Sequence, residues 1–477
     1  MLRLLVVLLL LIANAVLGEP APALPDTAPG KLMAKWLEAL NKADEAGLAK
    51  FTEEHYAPGL FNNLTPAQIA ERQQEMRNTM GKFDLYQIEE SSPTDLTVVL
   101  KAGEFLTRYT RLSYKVDSAV SSKIQERKIA PISAPPEAAP RKMSAADLAK
   151  ELEPKLEELT AKDAFSGTAL IAKDGNVVWQ KAYGLQDREA KTPVDLETRF
   201  RLGSMNKMFT SVAIAQLVEK GKLKFTDTLA TALPDYPNKE TAQKITVEHL
   251  LTHSSGLGDI FGPAFGQKKD SLRELKDYLP LFADQPLRFE PGKGFSYSNA
   301  GFIVLGLVIE KASGQNYYDY VQKNIYDAAG MKASGNVPKD ETIPNYAIGY
   351  MHGPDGALAP NTRTLPWRGM SAGGGDSNVG DLLRFATALR TNKLLSPAMT
   401  DAITTGKTQP GSDRSYAYGF NDGRSGGRRV VGHGGGAPGM NGELSILWDE
   451  GYTVIALANL DPPAADNVAS YIVERLN

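Results

Sequence analysis

The chain has 477 residues, a formal net charge of −3 and an ordinary apolar fraction of 42%. This length allows two domains with a sizeable core in the larger one. The near-neutral charge excludes the basic surface that nucleic-acid-binding proteins need, so no nucleic-acid partner is expected. The absence of cysteine excludes disulfides, thiolate metal sites, a cysteine nucleophile and a cysteine-linked lipid anchor.

The first residues have the order of a secretory signal peptide. Arg3 precedes an apolar run over Leu4–Ile12, and small residues follow at Ala13 and Ala15. The apolar run is shorter than the roughly 20 residues that a membrane-spanning helix needs. The sequence therefore predicts a signal peptide over residues 1–18, a secreted or periplasmic protein and no stable membrane anchor.

The region 25–128 is predicted to form a small α+β domain. Apolar residues at helical spacing open it, and Thr65 followed by Pro66 is a typical helix start, with Gly81 as the stop. From Phe83 onward the pattern changes to period two, which is typical of strands. Helices followed by an antiparallel sheet resemble a SnoaL-like cone domain. We find no convergent set of titratable residues in its sequence, so a packing or docking role is favoured over ligand binding.

Residues 129–143 carry four prolines and are predicted to form a linker. The rest of the chain, 144–477, is predicted to be the larger domain. Two hairpins, around Asp174-Gly175 and Asp449–Gly451, lie near its ends, and helical patterns fill the part between them. This order predicts an α+β fold with a central antiparallel sheet, flanking helices and a helical cluster beside it. The site is expected in the cleft between sheet and cluster.

Ser204 and Lys207 are the first candidate catalytic pair. Ser204 opens a helical pattern that ends at Gly221, and a spacing of three places both side chains on one helix face. A serine hydroxyl needs an adjacent base, and a buried lysine can be that base when desolvation lowers its pKa. The alternative is an N-cap serine beside a solvated lysine, since S-x-x-K is short enough to arise by chance.

Tyr297 and Asn299 form the second candidate motif. In an extended segment, residues two apart point to the same side. A tyrosine near a lysine can pass protons, and an amide can orient the lysine or a substrate carbonyl. A plain turn is the alternative, because Pro291 and Gly292 are turn residues. The same spacing recurs at Tyr236, next to a proline.

The third motif is His433 followed by three glycines, Gly434, Gly435 and Gly436. Glycines let backbone N–H groups approach a substrate closely. A strand edge of this kind can form an oxyanion hole together with the N–H of Ser204. The alternative is a flexible glycine-rich turn with an incidental histidine.

In this order and spacing, the three motifs resemble the serine β-lactamase and penicillin-binding-protein superfamily, and in particular its class C β-lactamase-like branch. Two further stretches are similar to that branch: LLTHSSGL at 250–257 and SAGGGDSNVGDLLRFA at 371–386. The resemblance covers about residues 145–477. It implies a serine β-lactamase-like fold and a serine hydrolase that works through an acyl-enzyme.

The resemblance also implies a role for each matching residue. Ser204 attacks the carbonyl, and Lys207 and Tyr297 share the base and acid roles. Asn299 holds the lysine and the substrate. The backbone N–H groups of Ser204 and of the glycine strand, at Gly436 beside Gly435, bind the oxyanion. No cofactor is implied, because all these groups belong to the protein.

His433 is the main departure from the family pattern, which usually has a lysine here, in Lys-Thr-Gly. That lysine helps to hold a substrate carboxylate, and a neutral histidine does so poorly. We therefore expect hydrolysis of a small-molecule ester or peptide, by an esterase or D-amino-acid peptidase type of enzyme, ahead of β-lactam hydrolysis. Two alternatives stay open: a non-catalytic penicillin-binding-like sensor or scaffold, and a small domain that carries the function by binding a ligand, which the hydrolase domain then processes.

His249 and His253 have the spacing of a metal-binding pair on a helix. No nearby carboxylate completes a ligand set in the sequence. We therefore predict no metal.

Overall fold

The structure is a computed structural model. It describes residues 22–61, 64–353, 356–410 and 414–477. The predicted signal peptide, residues 1–18, lies outside the described residues. The chain divides between Ala138 and Ala139 into two compact units. Among the helices that the structure describes, none is both long and apolar enough to cross a membrane.

The first unit places three helices ahead of a four-stranded antiparallel meander. Its elements are α1 (Ala28–Lys42), α2 (Glu45–His55), α3 (Pro66–Met80), β1 (Phe83–Ser91), β2 (Asp95–Ala102), β3 (Arg108–Val116) and β4 (Ile124–Ile132). The predicted start and stop of α3 are confirmed: Thr65 forms a capping box with Gln68, and Gly81 ends the helix with a φ of +80°. A core that includes Trp36 and Leu112 lies between the helices and the sheet. The order of helices and strands agrees with the sequence, while the SnoaL-like resemblance stays a prediction.

The linker predicted over 129–143 begins inside this sheet. Strand β4 continues to Ile132, and its Pro131 is opposite Thr110 of β3. Because β4 is the edge strand, a residue without an N–H donor is tolerated there. Proline argues against a central strand but not against an edge strand, so the predicted boundary at residue 129 is too early.

The second unit contains a larger sheet and several short strand pairs. Its strands are β5 (Gly167–Lys173), β6 (Asn176–Tyr183), β7 (Leu185–Asp187), β8 (Thr192–Pro193), β9 (Phe200–Arg201), β10 (Tyr350–His352), β11 (Leu358–Pro360), β12 (Asp376–Ser377), β13 (Arg414–Tyr416), β14 (Asn421–Ser425), β15 (Arg428–Ala437), β16 (Met440–Leu447) and β17 (Tyr452–Ala458). Seven of them form one antiparallel sheet in the order β13-β14-β15-β16-β17-β5-β6. The predicted central antiparallel sheet is thus confirmed.

The two predicted hairpins form near the start and near the end of this unit's sequence, and they pair with each other in the sheet. Asp174 and Gly175 both have positive φ, +50° and +80°, as a tight two-residue turn between β5 and β6 requires. The other hairpin pairs β16 with β17. Strand β17 then pairs with β5 along its whole length, so the sheet closes early and late parts of the chain on each other.

The helices of the second unit lie mostly between these hairpins in the chain. They are α4 (Ala145–Ala161), α5 (Asn206–Glu219), α6 (Leu229–Ala232), α7 (Lys239–Lys244), α8 (Val247–Leu251), α9 (Pro263–Lys268), α10 (Asn299–Ser313), α11 (Tyr317–Val321), α12 (Asp327–Ala329), α13 (Val379–Arg390), α14 (Pro397–Thr404) and α15 (Ala464–Arg475). Helices α5 and α10 are buried on nearly every side, as the middle of a helical cluster requires. The first turn of α5 lies beside β15, and Lys207 in that turn hydrogen-bonds with Asn299 at the start of α10.

Candidate active site

Ser204 lies in a single 3-10 turn, Gly203–Met205, that leads directly into α5. Gly203 has a φ of +52°, in the left-handed region that favours glycine, and so lets the chain turn from β9 into the helix. Backbone hydrogen bonds hold the turn: Leu202 N donates to Gly375 O at 2.7 Å, and Gly374 N donates to Gly203 O at 2.9 Å. The hydroxyl is therefore presented from a fixed turn at the start of a buried helix.

Lys207 is fully buried, and its ammonium group contacts three oxygen atoms. Nζ lies 3.2 Å from Ser204 Oγ, 2.8 Å from Asn299 Oδ1 and 2.6 Å from the carbonyl oxygen of Ala372. Burial lowers the pKa of this lysine to about 7, and the negative charge of Asp259 opposes that shift. A substantial fraction of the amine is therefore neutral near pH 7, within reach of the serine hydroxyl.

Asp259 fixes the orientation of the Asn299 amide. Asn299 Nδ2 donates to Asp259 Oδ1 at 3.2 Å and to Oδ2 at 3.1 Å, and the backbone N–H of Asn299 donates to Oδ2 at 3.2 Å. The amide oxygen therefore faces Lys207. Asn299 begins α10 and is not part of an extended segment, so the geometry behind the Tyr297–Asn299 prediction is wrong. Tyr297 and Asn299 both still lie in the site, on either side of Ser298, which caps the start of α10.

Tyr297 is partly open to solvent, with 37% of its surface exposed. Burial of its hydroxyl end raises the pKa of the phenol, which hydrogen-bonds with Ser204, so the group stays protonated. Its ring centre lies 4.7 Å from Lys207 Nζ and 4.2 Å from the ring centre of the buried His253. His253 Nδ1 also accepts a hydrogen bond from Ser298 N at 3.1 Å, so this histidine positions both the ring and the backbone beside it.

His433 lies on β15 with both ring nitrogens engaged. Nε2 is 3.1 Å from the hydroxyl of Tyr416, and Nδ1 contacts the carbonyl oxygen of Gly434. Burial, together with the charge of Lys207, lowers the pKa of His433 to about 3, so the ring is neutral. A neutral ring with two occupied nitrogens offers no cation for a substrate carboxylate, in agreement with the sequence argument.

The glycine strand lies against the Ser204 turn at a distance that leaves no room for side chains. A Cβ on Gly435 would be 1.9 Å from Leu202 O and 2.9 Å from Ser204 N, and a Cβ on Gly203 would be 2.8 Å from Gly436 N. The backbone N–H groups of Ser204 and Gly436 therefore lie in the same contact region, as an oxyanion hole requires.

Asn441 holds the glycine strand on its other side. Its Nδ2 donates to Gly435 O at 2.9 Å, and its Oδ1 accepts from Ala465 N at 2.7 Å, at the start of α15. The position of the glycine strand is thus linked to α15, the C-terminal helix of the unit.

Two other residues considered in the sequence, His249 and Tyr236, have contacts that are typical of structural residues. His249 Nδ1 accepts from Thr246 N in a capping box that starts α8. Tyr236 is buried in the hydrophobic core around the helices. Within the described ranges, no group of three or more His, Asp or Glu side chains is arranged to hold a metal ion.

The structure thus brings together Ser204, Lys207, Tyr297, Asn299 and the glycine strand that follows His433. Sequence analysis missed Asp259, Tyr416 and the roles of His253 and Ala372. His253 and Ala372 do lie in the two further stretches that resemble the family, at 250–257 and 371–386. Asp259 comes from the region after residue 257, which shows no readable pattern, and its role appears only from its contacts.

The sequence matches the family described as Beta-lactamase over residues 152–476. Esterase EstB of Burkholderia gladioli is 30% identical, over 58% of this chain and 80% of its own length. A D-aminopeptidase of Brucella anthropi is 27% identical, over 63% of this chain and 57% of its own length.

A solved structure shares the same fold. The crystal structure of a penicillin binding protein from Bacillus halodurans has 34% sequence identity and a TM-score of 0.61, and the match covers 66% of this chain and 98% of that one. The family match spans almost the whole second unit, which carries the serine, the lysine and the glycine strand. The chain therefore belongs to the beta-lactamase family, in the serine β-lactamase and penicillin-binding-protein superfamily of serine hydrolases.

Proposed function

We propose that this protein hydrolyses small-molecule esters or amides through an acyl-enzyme formed on Ser204. The observation that carries the proposal is the contact between Ser204 Oγ and the buried Nζ of Lys207, 3.2 Å apart. A serine activated by a desolvated lysine has the nucleophile and the base that acyl transfer needs. The protein supplies both groups, so no cofactor is part of the proposal.

In the proposed reaction, each group of the site has its own role. Neutral Lys207 accepts the hydroxyl proton as Ser204 Oγ attacks the substrate carbonyl carbon. The N–H groups of Ser204 and Gly436 stabilise the oxygen that becomes negative. The protonated Tyr297 hydroxyl gives a proton to the leaving alcohol or amine, and the carbon–leaving-group bond breaks. The proton held by Lys207 then passes to the Tyr297 oxygen, so both groups recover their starting forms. Water then attacks the acyl-enzyme, releases a carboxylic acid and restores the serine.

The preference for esters and amides over β-lactams rests on His433. Charged β-lactams carry a carboxylate, and this neutral, doubly hydrogen-bonded ring leaves that charge unpaired. Esterase EstB and the D-aminopeptidase show that relatives of this chain have ester and peptide activities. They support the class of reaction, while the substrate of this protein is part of the proposal.

The proposal is tested by comparing three chromogenic substrates: p-nitrophenyl butyrate, D-alanine p-nitroanilide and a cephalosporin. We expect the ester or the anilide to be turned over with the highest kcat/KM. Intact mass should show one adduct after treatment with a fluorophosphonate, and none in Ser204→Ala. Faster cephalosporin turnover would reverse the substrate ranking. Wild-type protein that neither turns over substrate nor takes up the adduct would favour a scaffold.

The pH profile provides a separate prediction. Because Lys207 acts as a base only when neutral, and its pKa is about 7, kcat/KM should rise with pH through a midpoint near 7 and level off above it. Asp259 favours the charged lysine, so Asp259→Asn should move the midpoint to lower pH. The control is Asp270, an exposed aspartate that pairs with Lys269. Asp270→Asn should leave the pH profile unchanged. A midpoint that is the same in wild type and Asp259→Asn would argue against Lys207 as the titrating base.

Export remains part of the proposal, based on the signal-like pattern over residues 1–18. Amino-terminal sequencing of the protein recovered outside the cytoplasm would test it, and an intact Met1 would argue against cleavage.

A further inference from the structure

A buried asparagine, Asn441, lies between the glycine strand and the start of α15. It stands on β16 directly opposite Gly436, and 1% of its surface is exposed. Its side-chain amide is bonded at both ends. Nδ2 donates to Gly435 O at 2.9 Å, and Oδ1 accepts from Ala465 N at 2.7 Å and from Asp466 N at 3.0 Å. One rigid amide therefore holds two backbone segments that are distant in sequence.

Helix α15 receives its N-terminal cap from this asparagine. The residue before the helix, Pro463, makes no side-chain cap, and the first N–H groups of a helix have no partner within the helix. Asn441 supplies the acceptor from 24 positions earlier in the chain. The N–H groups at a helix start also carry the positive end of the helix dipole. They polarise the Asn441 amide, so its Nδ2 becomes a stronger donor.

The other bond of Asn441 reaches the peptide group that supplies the Gly436 N–H. The oxygen of Gly435 and the N–H of Gly436 are opposite ends of this one planar peptide group. A hydrogen bond to the oxygen draws electron density from the nitrogen and makes the N–H a stronger donor. It also fixes the plane of the peptide and thereby the direction of the N–H.

The glycine strand needs such a support because its own residues restrict it little. Among the described residues, β14 pairs with β15 only up to Gly432, so the glycine strand pairs with β16 alone. There, the residue opposite Gly435 is also a glycine, Gly442. Glycine backbones have wide conformational freedom, so the orientation of this peptide depends on bonds from outside the strand. The side chain of Asn441 provides one of them.

We propose that Asn441 is a positioning residue for the oxyanion hole, and that it relays the polarity of the α15 N-terminus to the Gly436 N–H. Three groups are linked head to tail: the first N–H groups of the helix, the Asn441 amide and the peptide between Gly435 and Gly436. The positive end of this series is the N–H that stabilises the oxyanion. The proposal rests on the proposed acyl transfer, because the oxyanion forms in that reaction.

Asn441→Asp separates the two bonds. At about pH 8 the new carboxyl group is ionised, so it still accepts from Ala465 N but has no hydrogen to donate to Gly435 O. We expect kcat for p-nitrophenyl butyrate to fall about tenfold, the size of one hydrogen bond, and KM to change less than about twofold. Asn441→Ala adds no charge and should show a loss at least as large.

The amide signal of Gly436 provides a readout that needs no substrate. Glycine labelled with ¹³C at the carbonyl carbon and ¹⁵N at the nitrogen restricts an HNCO spectrum to Gly–Gly peptide groups, which are few in this chain. Gly436→Ala identifies the signal of interest by removing it. In both Asn441 variants, the Gly435 carbonyl carbon and the Gly436 amide proton should shift upfield, because the bond that polarises their peptide is lost.

Asn459→Asp is the matched control. Asn459 is another buried asparagine, but its Nδ2 donates to Leu185 O and Ile348 O and not to the glycine strand. This variant should lower the Tm but keep kcat and the Gly436 signal of the parent. If Asn441→Asp does not fold, Asn441→Ala decides the question.

Four results would each overturn the proposal. They are an unchanged kcat in the Asn441 variants, a loss in Asn441→Asp alone, an unshifted Gly436 signal, and an equal loss of kcat in Asn459→Asp. A parent protein that hydrolyses no ester would contradict the proposed function instead, and the Gly436 signal would still show whether Asn441 polarises the peptide.

Discussion

Replacing Lys207 by methionine is expected to lower kcat/KM for ester hydrolysis by about 10²–10⁴-fold, the range that a positioned general base contributes. The lysine is fully buried, and its amine is the nitrogen that contacts Ser204 Oγ, at 3.2 Å. Methionine keeps the length and apolar character of the side chain but cannot accept a proton. The loss should appear mainly in kcat, with the rate of fluorophosphonate labelling reduced in parallel.

The control for this variant is Lys222→Met, which removes an exposed lysine just after the same helix. It should retain the parent's activity. Circular dichroism should show that Lys207→Met is folded, because removing a buried amine also removes its desolvation penalty. Activity within tenfold of the parent in a folded Lys207→Met protein would mean that another group deprotonates the serine.

Gly435→Ala is expected to lower kcat by about 10²–10³-fold, the effect of losing one oxyanion donor. The added methyl carbon would lie 1.9 Å from Leu202 O and 2.9 Å from Ser204 N. The strand or the serine turn must therefore move, and the N–H groups of Ser204 and Gly436 no longer point at one oxygen. KM should change less than kcat, because the oxyanion forms only in the transition state.

Gly434→Ala is the matched control on the same strand. A methyl group there would meet the end of the Glu443 side chain, 2.5 Å away, and such a flexible side chain can rotate aside. This variant should keep kcat within tenfold of the parent. Similar losses in both variants would show that the strand tolerates no side chain at all, and the effect could not then be assigned to the oxyanion hole.

Local sequence signals explain why much of the fold could be predicted. The Asp174-Gly175 turn and the Thr65 cap each depend on residues within a few positions of each other, and both form as expected. Ser204 and Lys207 are also neighbours along one helix. The sequence predicts a close approach of the backbone at the glycines after His433. In the structure, that backbone packs against the turn that holds Ser204.

The missed features depend on contacts between distant segments. Asp259 orients Asn299 across 40 positions of sequence, and Tyr416 reaches His433 from a neighbouring part of the sheet. Asn441 contacts the start of α15 from 24 positions earlier in the chain. No local pattern marks such pairs, so contacts of this kind appear only in the structure.

The pairing of β17 with β5 has a consequence for biosynthesis. Strand β5 pairs early with β6, but it obtains its other neighbour, β17, only after the entire helical cluster has been translated, so the contact order of this sheet is high and its folding is expected to be slow. Ser204, the proposed nucleophile, leaves the ribosome well before the glycine strand that would complete its oxyanion hole. We therefore expect the proposed hydrolytic activity to appear only after the late strands have docked.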